Sequence, residues 1–172
     1  MARTLGIMFT MTTYGTWLRG DRRGWIDDGK LMPPDPDLEA ADQRSMKHPV
    51  FLFPSDAWHE IGKALGEGLV QELNQRIYAL TIGTWHVHFV VGTTRVDVGD
   101  IAKCAKDKVR YGLEAGRPIW GEKYDKRFCF DERSLLNRIR YVERHNLAAG
   151  RPARPWPFLQ IPSFLKKYEP WH

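Results

Sequence analysis

Cysteine is nearly missing from this chain: of 172 residues only Cys104 and Cys129 are cysteines. That excludes a disulfide scaffold and a zinc site built from cysteine alone. Long apolar runs are missing too, since none approaches the roughly 20 residues that a membrane-spanning helix needs. The opening MARTLGIMFTM has no apolar core of sufficient length before a small-residue cleavage site, so it does not resemble a secretory leader. No internal repeat or low-complexity tract interrupts the pattern. The expectation is one soluble, cytoplasmic domain in a reducing compartment, large enough to bury a core without staples.

Acidic residues are scarce in only one part of the chain. Residues 1–100 carry ten Lys+Arg and 13 Asp+Glu, a net of −3; residues 101–172 carry 16 and eight, a net of +8, and together they make +5. In the basic part, Tyr111, Trp120, Tyr124, Phe128, Tyr141, Trp156 and Trp171 are interleaved with the cations. Cations that meet phosphates, alternating with rings that can stack on bases, are the composition of a nucleic-acid surface. A solvated basic face has the same composition, so the charge alone does not decide between them.

Periodicity predicts a first strand at 5–13 and a long irregular insertion at 14–50, with a short helix at 37–46. Pro54-Ser55-Asp56 opens a helix over 55–74 on the spacing of Trp58, Ile61, Leu65, Leu69 and Leu73. Gly62, Gly66 and Gly68 on that helix suggest close packing against a sheet. Strands follow at 76–83 and 86–92, joined as a β-hairpin, then a helix at 98–115 and a short strand at 127–130. Asp131 caps a last helix to about Asn146, and a proline-rich tail fills 151–172. The order β-α-β-β-α-β with an added helix matches a ferredoxin-like α+β fold, an antiparallel sheet with helices on one face. The domain is expected over 1–150, with the tail separate.

Two clusters in this frame carry chemistry. His86 and His88 flank Val87 on a strand, so both imidazoles face one side with Cα atoms about 6.6–7 Å apart. Helices covering the Val87/Phe89 side would leave the histidines on the open face of a central strand, placed to hold a divalent cation. In the last helix Leu135, Ile139 and Val142 form the apolar stripe. Tyr141 and His145 lie one turn apart, off that stripe, with Arg138, Arg140 and Arg144 nearby to hold phosphate. Taken singly, a satisfied histidine pair and a surface tyrosine on a basic helix are the plainer explanations.

The strand pair RIYALTIG and HVHFVV, with the helix RIRYVERHN, resembles the single-tyrosine HUH transposases, and in particular the REP-associated tyrosine transposases. The segment YGTWLRGD with the RGW after it is similar to the opening of that group. The likeness runs from about residue 5 to 150. It implies His86 and His88 as metal ligands, Tyr141 as nucleophile and His145 as third ligand, where relatives commonly carry Gln or Asn. Trp85 stands where relatives often have Asn, and offers a ring on which a base can stack. The resemblance further implies Mg2+ or Mn2+ and a single-stranded or hairpin DNA substrate, nicked and rejoined through a 5′-phosphotyrosine link. Arg138, Arg140, Arg144, Lys103, Lys106, Lys108 and Arg110 are the expected DNA contacts, as are the tail cations Arg151, Arg154, Lys166 and Lys167. Tyr111 and Tyr124 are rival nucleophiles without a ligand four residues on. A homodimer is slightly favoured over a monomer. Two other readings are a domesticated, non-mobile protein that only binds hairpin DNA and a replication initiator or relaxase with the same chemistry; the latter are usually longer chains.

Overall fold

The computed structural model describes residues 3–172. Four strands form its main sheet: β1 (Gly6–Thr13), β4 (Ile77–Ile82), β5 (His86–Gly92) and β6 (Trp120–Cys129), antiparallel in the order β4-β5-β1-β6. That is the ferredoxin-like arrangement expected, with β5 central. Helices α2 (Trp58–Leu73) and α3 (Val98–Leu113) cover one face. There Ile61, Leu65 and Leu69 of α2 and Ile101, Ala105 and Val109 of α3 bury themselves on Phe9, Met11, Leu80, Val87 and Phe89. Asp97 caps α3 by accepting from the Gly99 amide, and Asn74 ends α2 in a left-handed turn. Helix α2 begins three residues later than expected, at Trp58, with no side-chain cap.

The opposite face is not open. Helix α4 (Glu132–Ala148) lies on it, capped by the Asp131 side chain, which accepts from the Ser134 amide at 2.7 Å. Leu135, Leu136, Ile139 and Val142 form a second core with Met8, Tyr78, Ala79 and Val90. Burying each such side chain contributes about 1.5–3 kcal/mol, and together they hold the helix on the sheet.

Strand β6 is ten residues long rather than four, and pairs with β1 from Gly6↔Cys129 to Thr13↔Trp120. Its sequence, WGEKYDKRFC, lacks a clean apolar alternation because it is an edge strand. Main-chain hydrogen bonds hold it while most of its side chains face water. Tyr124, expected in a loop, sits in this strand with its ring stacked 6.1 Å from Phe9.

The insertion is more ordered than predicted. Helix α1 (Pro36–Ser45) falls where a short helix was expected, but a β-hairpin of β2 (Trp25–Asp27) and β3 (Lys30–Met32) precedes it. Its turn is Asp28-Gly29, both at positive φ, a pairing that signals a two-residue hairpin.

The tail lies across the body. Leu159 bridges to Ile77 at the β4 edge, Trp156 and Leu165 are buried, and a 3-10 turn spans Ser163–Tyr168. Two of the α2 glycines belong to this contact and not to the sheet. A Cβ at Gly62 would strike the Trp156 ring and one at Gly66 the Phe158 ring, while Gly68 faces Lys108 of α3. The glycine spacing marked a close approach, but its partner was the tail.

Candidate metal and nucleophile site

Across the sheet face under α4, side chains change from apolar to polar. Near the first turns of α4 the strands offer Met8, Ala79 and Val90. Further along they offer Thr10, Thr81, His86 and His88, where Thr10 and Thr81 are both cross-strand partners of His88. The same register stacks Phe9 on Phe89, 4.8 Å apart, on the far side. Alternation therefore fixes both imidazoles on one face.

The later turns of α4 complete the site. One ring nitrogen from each of His86, His88 and His145 lies within 4.8 Å of the others. Tyr141 packs against two of these rings, with centroids 5.4 Å from His88 and 4.9 Å from His145. His88 is only 7% exposed, whereas Tyr141 is 43% exposed. The donors sit at the bottom of the site and the phenol at its rim.

The neighbours orient these groups. Thr10 Oγ1 lies 2.8 Å from His88 Nδ1 and occupies that nitrogen. A Cβ at Gly83, in the β4–β5 turn, would overlap the His86 ring, so glycine there leaves the imidazole its place. His86 Nδ1 is buried without a hydrogen-bond partner, an arrangement that is costly unless something else satisfies it.

Burial favours the neutral form of all three imidazoles, and the neighbouring rings add to this at His86 and His88. Desolvation, and then the field of His145, push His86 down to about 4. Desolvation with His86 and His145 takes His88 to about 3. Desolvation also lowers His145. Neutral imidazoles present lone pairs, which is what a cation requires. The triad could hold a metal ion, and the orphaned nitrogen together with this donor set fits one.

Asn146 does not join the triad. It is fully buried, with its Oδ1 accepting from Thr81 Oγ1 at 2.7 Å and its Nδ2 donating to the carbonyls of Leu80 and Ala153. It ties α4 to β4 and to the tail. One turn earlier on the same side of the helix, Glu143, also fully buried, accepts from Trp171 Nε1 at 3.2 Å and lies near Arg154 and His172.

The expected cations divide between the two faces. Arg138, Arg140 and Arg144 join Tyr141, Ser134 and Asn137 around a depression of about 310 Å³ on α4. Among the described residues none of the three arginines pairs with a carboxylate, and Arg140 Nε is buried without a partner. Lys103, Lys106, Lys108 and Arg110 lie on α3, across the sheet from the triad. Lys103 pairs with Asp107 at 2.6 Å and Lys108 with Glu72; Lys106, its ammonium pushed down by burial, donates to the Gly121 carbonyl. In the tail, Arg151 donates to the Ile82 carbonyl, Arg154 pairs with Glu169, and Lys167 pairs with Glu132. The rival tyrosines are also remote: Tyr111 projects from α3, and Tyr124 packs on Phe9.

Sequence reasoning missed Thr10, Gly83 and the Thr81–Asn146 bond. The alternating threonines of MFTMTT were the available signal for a polar end on β1.

No family model and no curated protein sequence matches the chain. The solved structures that resemble it include the following two. A putative transposase from Deinococcus radiodurans is 15% identical, with 84% of this chain and 92% of that one covered and a TM-score of 0.43. A REP-associated tyrosine transposase bound to a REP hairpin is 11% identical, with 91% of this chain and 76% of that one covered and a TM-score of 0.53. At such identity the likeness is one of architecture: the chain has the fold of a REP-associated tyrosine transposase.

Proposed function

We propose that this protein is a metal-dependent transesterase of the HUH transposase type, which nicks and rejoins single-stranded DNA beside a hairpin. The observation that carries this is the convergence of Tyr141 with His86, His88 and His145 on one sheet face. The related fold, solved on a REP hairpin, suggests the substrate class.

A divalent ion held by the three imidazoles would polarise the scissile phosphate and offset the charge developing on it. Tyr141, exposed at the rim, attacks phosphorus through its phenol oxygen and gives up its proton. The bond from phosphorus to the 3′ oxygen breaks, that oxygen leaves as a hydroxyl, and a 5′-phosphotyrosine remains. The phosphodiester energy is kept, so attack by a 3′ hydroxyl rejoins a strand without ATP. Arg138, Arg140 and Arg144, unpaired beside Tyr141, hold the backbone phosphates. The α3 cations face away and are mostly engaged internally, so they are the weaker candidates. Of the two ions expected, three nitrogen donors with no carboxylate favour Mn2+ over Mg2+.

A domesticated protein that binds hairpins without cutting them would need the same fold but no nucleophile. The placement of Tyr141 favours the enzyme. Incubation with single-stranded hairpin DNA and Mn2+ should give a covalent protein–DNA species that survives denaturing electrophoresis. Binding without any adduct would favour the non-mobile reading.

A further inference from the structure

Next to His86, the β4–β5 turn and a loop of the insertion together build an aromatic shelf. The Trp85 ring lies 4.4 Å from the His86 ring, and the Trp17 ring 5.8 Å from Trp85. The Arg23 guanidinium stands 4.0 Å from the Trp17 centroid and 4.9 Å from that of Trp85. Tyr141 packs on His88 and His145, so the shelf adjoins the remaining member of the triad.

The shelf is rigidly built. Arg23 makes a two-pronged contact with Asp21, at 2.8 and 2.6 Å, and donates to the Thr16 carbonyl. Asp21 is buried, and Trp17 Nε1 donates to the Gly24 carbonyl at 2.9 Å. With its charge met by Asp21, Arg23 is not a free phosphate clamp; it fixes the two indoles. Yet Trp17 stays 41% exposed. With Arg23 stacked on it from one side, the part of the Trp17 ring left open to solvent, one indole away from His86 of the metal-competent triad, is arranged for a flat ligand.

We propose that the exposed Trp17 ring, backed by Arg23 and braced by the tilted Trp85 indole, is a stacking platform for one unpaired nucleobase, that of the nucleotide next to the scissile phosphate. The proposal rests on the reading of the triad and Tyr141 as a phosphodiester centre. A phosphate held at the triad brings its own nucleotide within reach of His86, and Trp85 is the ring beside it. Stacking accepts any base but requires it to be unpaired, so the platform selects single-stranded DNA and positions the phosphate without reading sequence.

The test uses the Tyr141→Phe chain with Mn2+, so that no cleavage intervenes. Fluorescence anisotropy follows binding of labelled DNA hairpins whose single-stranded flanks carry an abasic site at each position in turn. One flank position is expected to lose roughly tenfold in affinity when its base is removed. Adding Trp17→Leu should make that position insensitive, whereas Trp17→Phe should keep most of the effect; thermal melts report whether each variant is folded. A 2-aminopurine at the sensitive position should be quenched in the Tyr141→Phe complex, a readout that needs no change at Trp17. Equal tolerance at all positions, unquenched 2-aminopurine, or sensitivity that survives Trp17→Leu overturns the platform. If the unaltered chain still forms its covalent adduct in that case, the transesterase reading stands and only the platform fails; absence of both binding and adduct overturns the two together.

Discussion

His88 depends on Thr10 for its orientation, because their 2.8 Å contact occupies Nδ1. Thr10→Val keeps the shape and removes the partner. It should lower Mn2+ affinity about 10–100-fold by calorimetry, and unchanged affinity would show that Thr10 does not orient the ring. The lowered histidines also set a pH dependence in the metal-free protein. Their unfolded value is near 6.5, while folded His86 and His88 titrate only near 4 and 3. Below pH 6.5 the unfolded chain therefore binds protons that the folded chain refuses, and stability falls as pH falls. With chelator present, the melting temperature should drop from pH 6.5 to about 5, above most carboxylate titration. Replacing both residues with glutamine should flatten that slope; an unaltered slope would assign it to other groups. The histidine pair was legible in the sequence because strand alternation needs only local geometry. Thr10 was not, since its role depends on a strand pairing 78 residues away.

Helix α4 places two of the four site residues, and Asn146 is what fastens its later turns. The Asn146 side chain links the helix to Thr81, to Leu80 and to Ala153 of the tail. Asn146→Ala leaves those buried groups unpaired and should cost about 1–3 kcal/mol in denaturant unfolding. A loss under a few tenths of that would mean that water replaces the amide readily. Helix positions and the Asp131 cap could be read from the sequence because the apolar stripe and the cap are local signals. Strand β6 could not be read in full, since an edge strand shows no apolar period, and the β2–β3 hairpin was hidden in a polar insertion although Asp28-Gly29 marked its turn.

For the whole molecule, one chain supplies His86, His88, His145 and Tyr141. The tail fastens that assembly through Glu143, Glu132 and the β4 edge. Mixing Tyr141→Phe chains with His86→Ala chains should accordingly restore no adduct, whereas recovery would show that α4 exchanges between chains. Which sheet α4 covers was not legible, because its apolar stripe specifies a buried face but not the surface that buries it.

The proposed mechanism stands or falls with Tyr141 as the nucleophile. The most direct measurement is mass spectrometry of the covalent adduct after the DNA is trimmed with nuclease and the protein digested. A nucleotide remnant is expected on the peptide carrying Tyr141, and none in Tyr141→Phe. A remnant on Tyr111 or Tyr124, or an undiminished adduct in Tyr141→Phe, would contradict it.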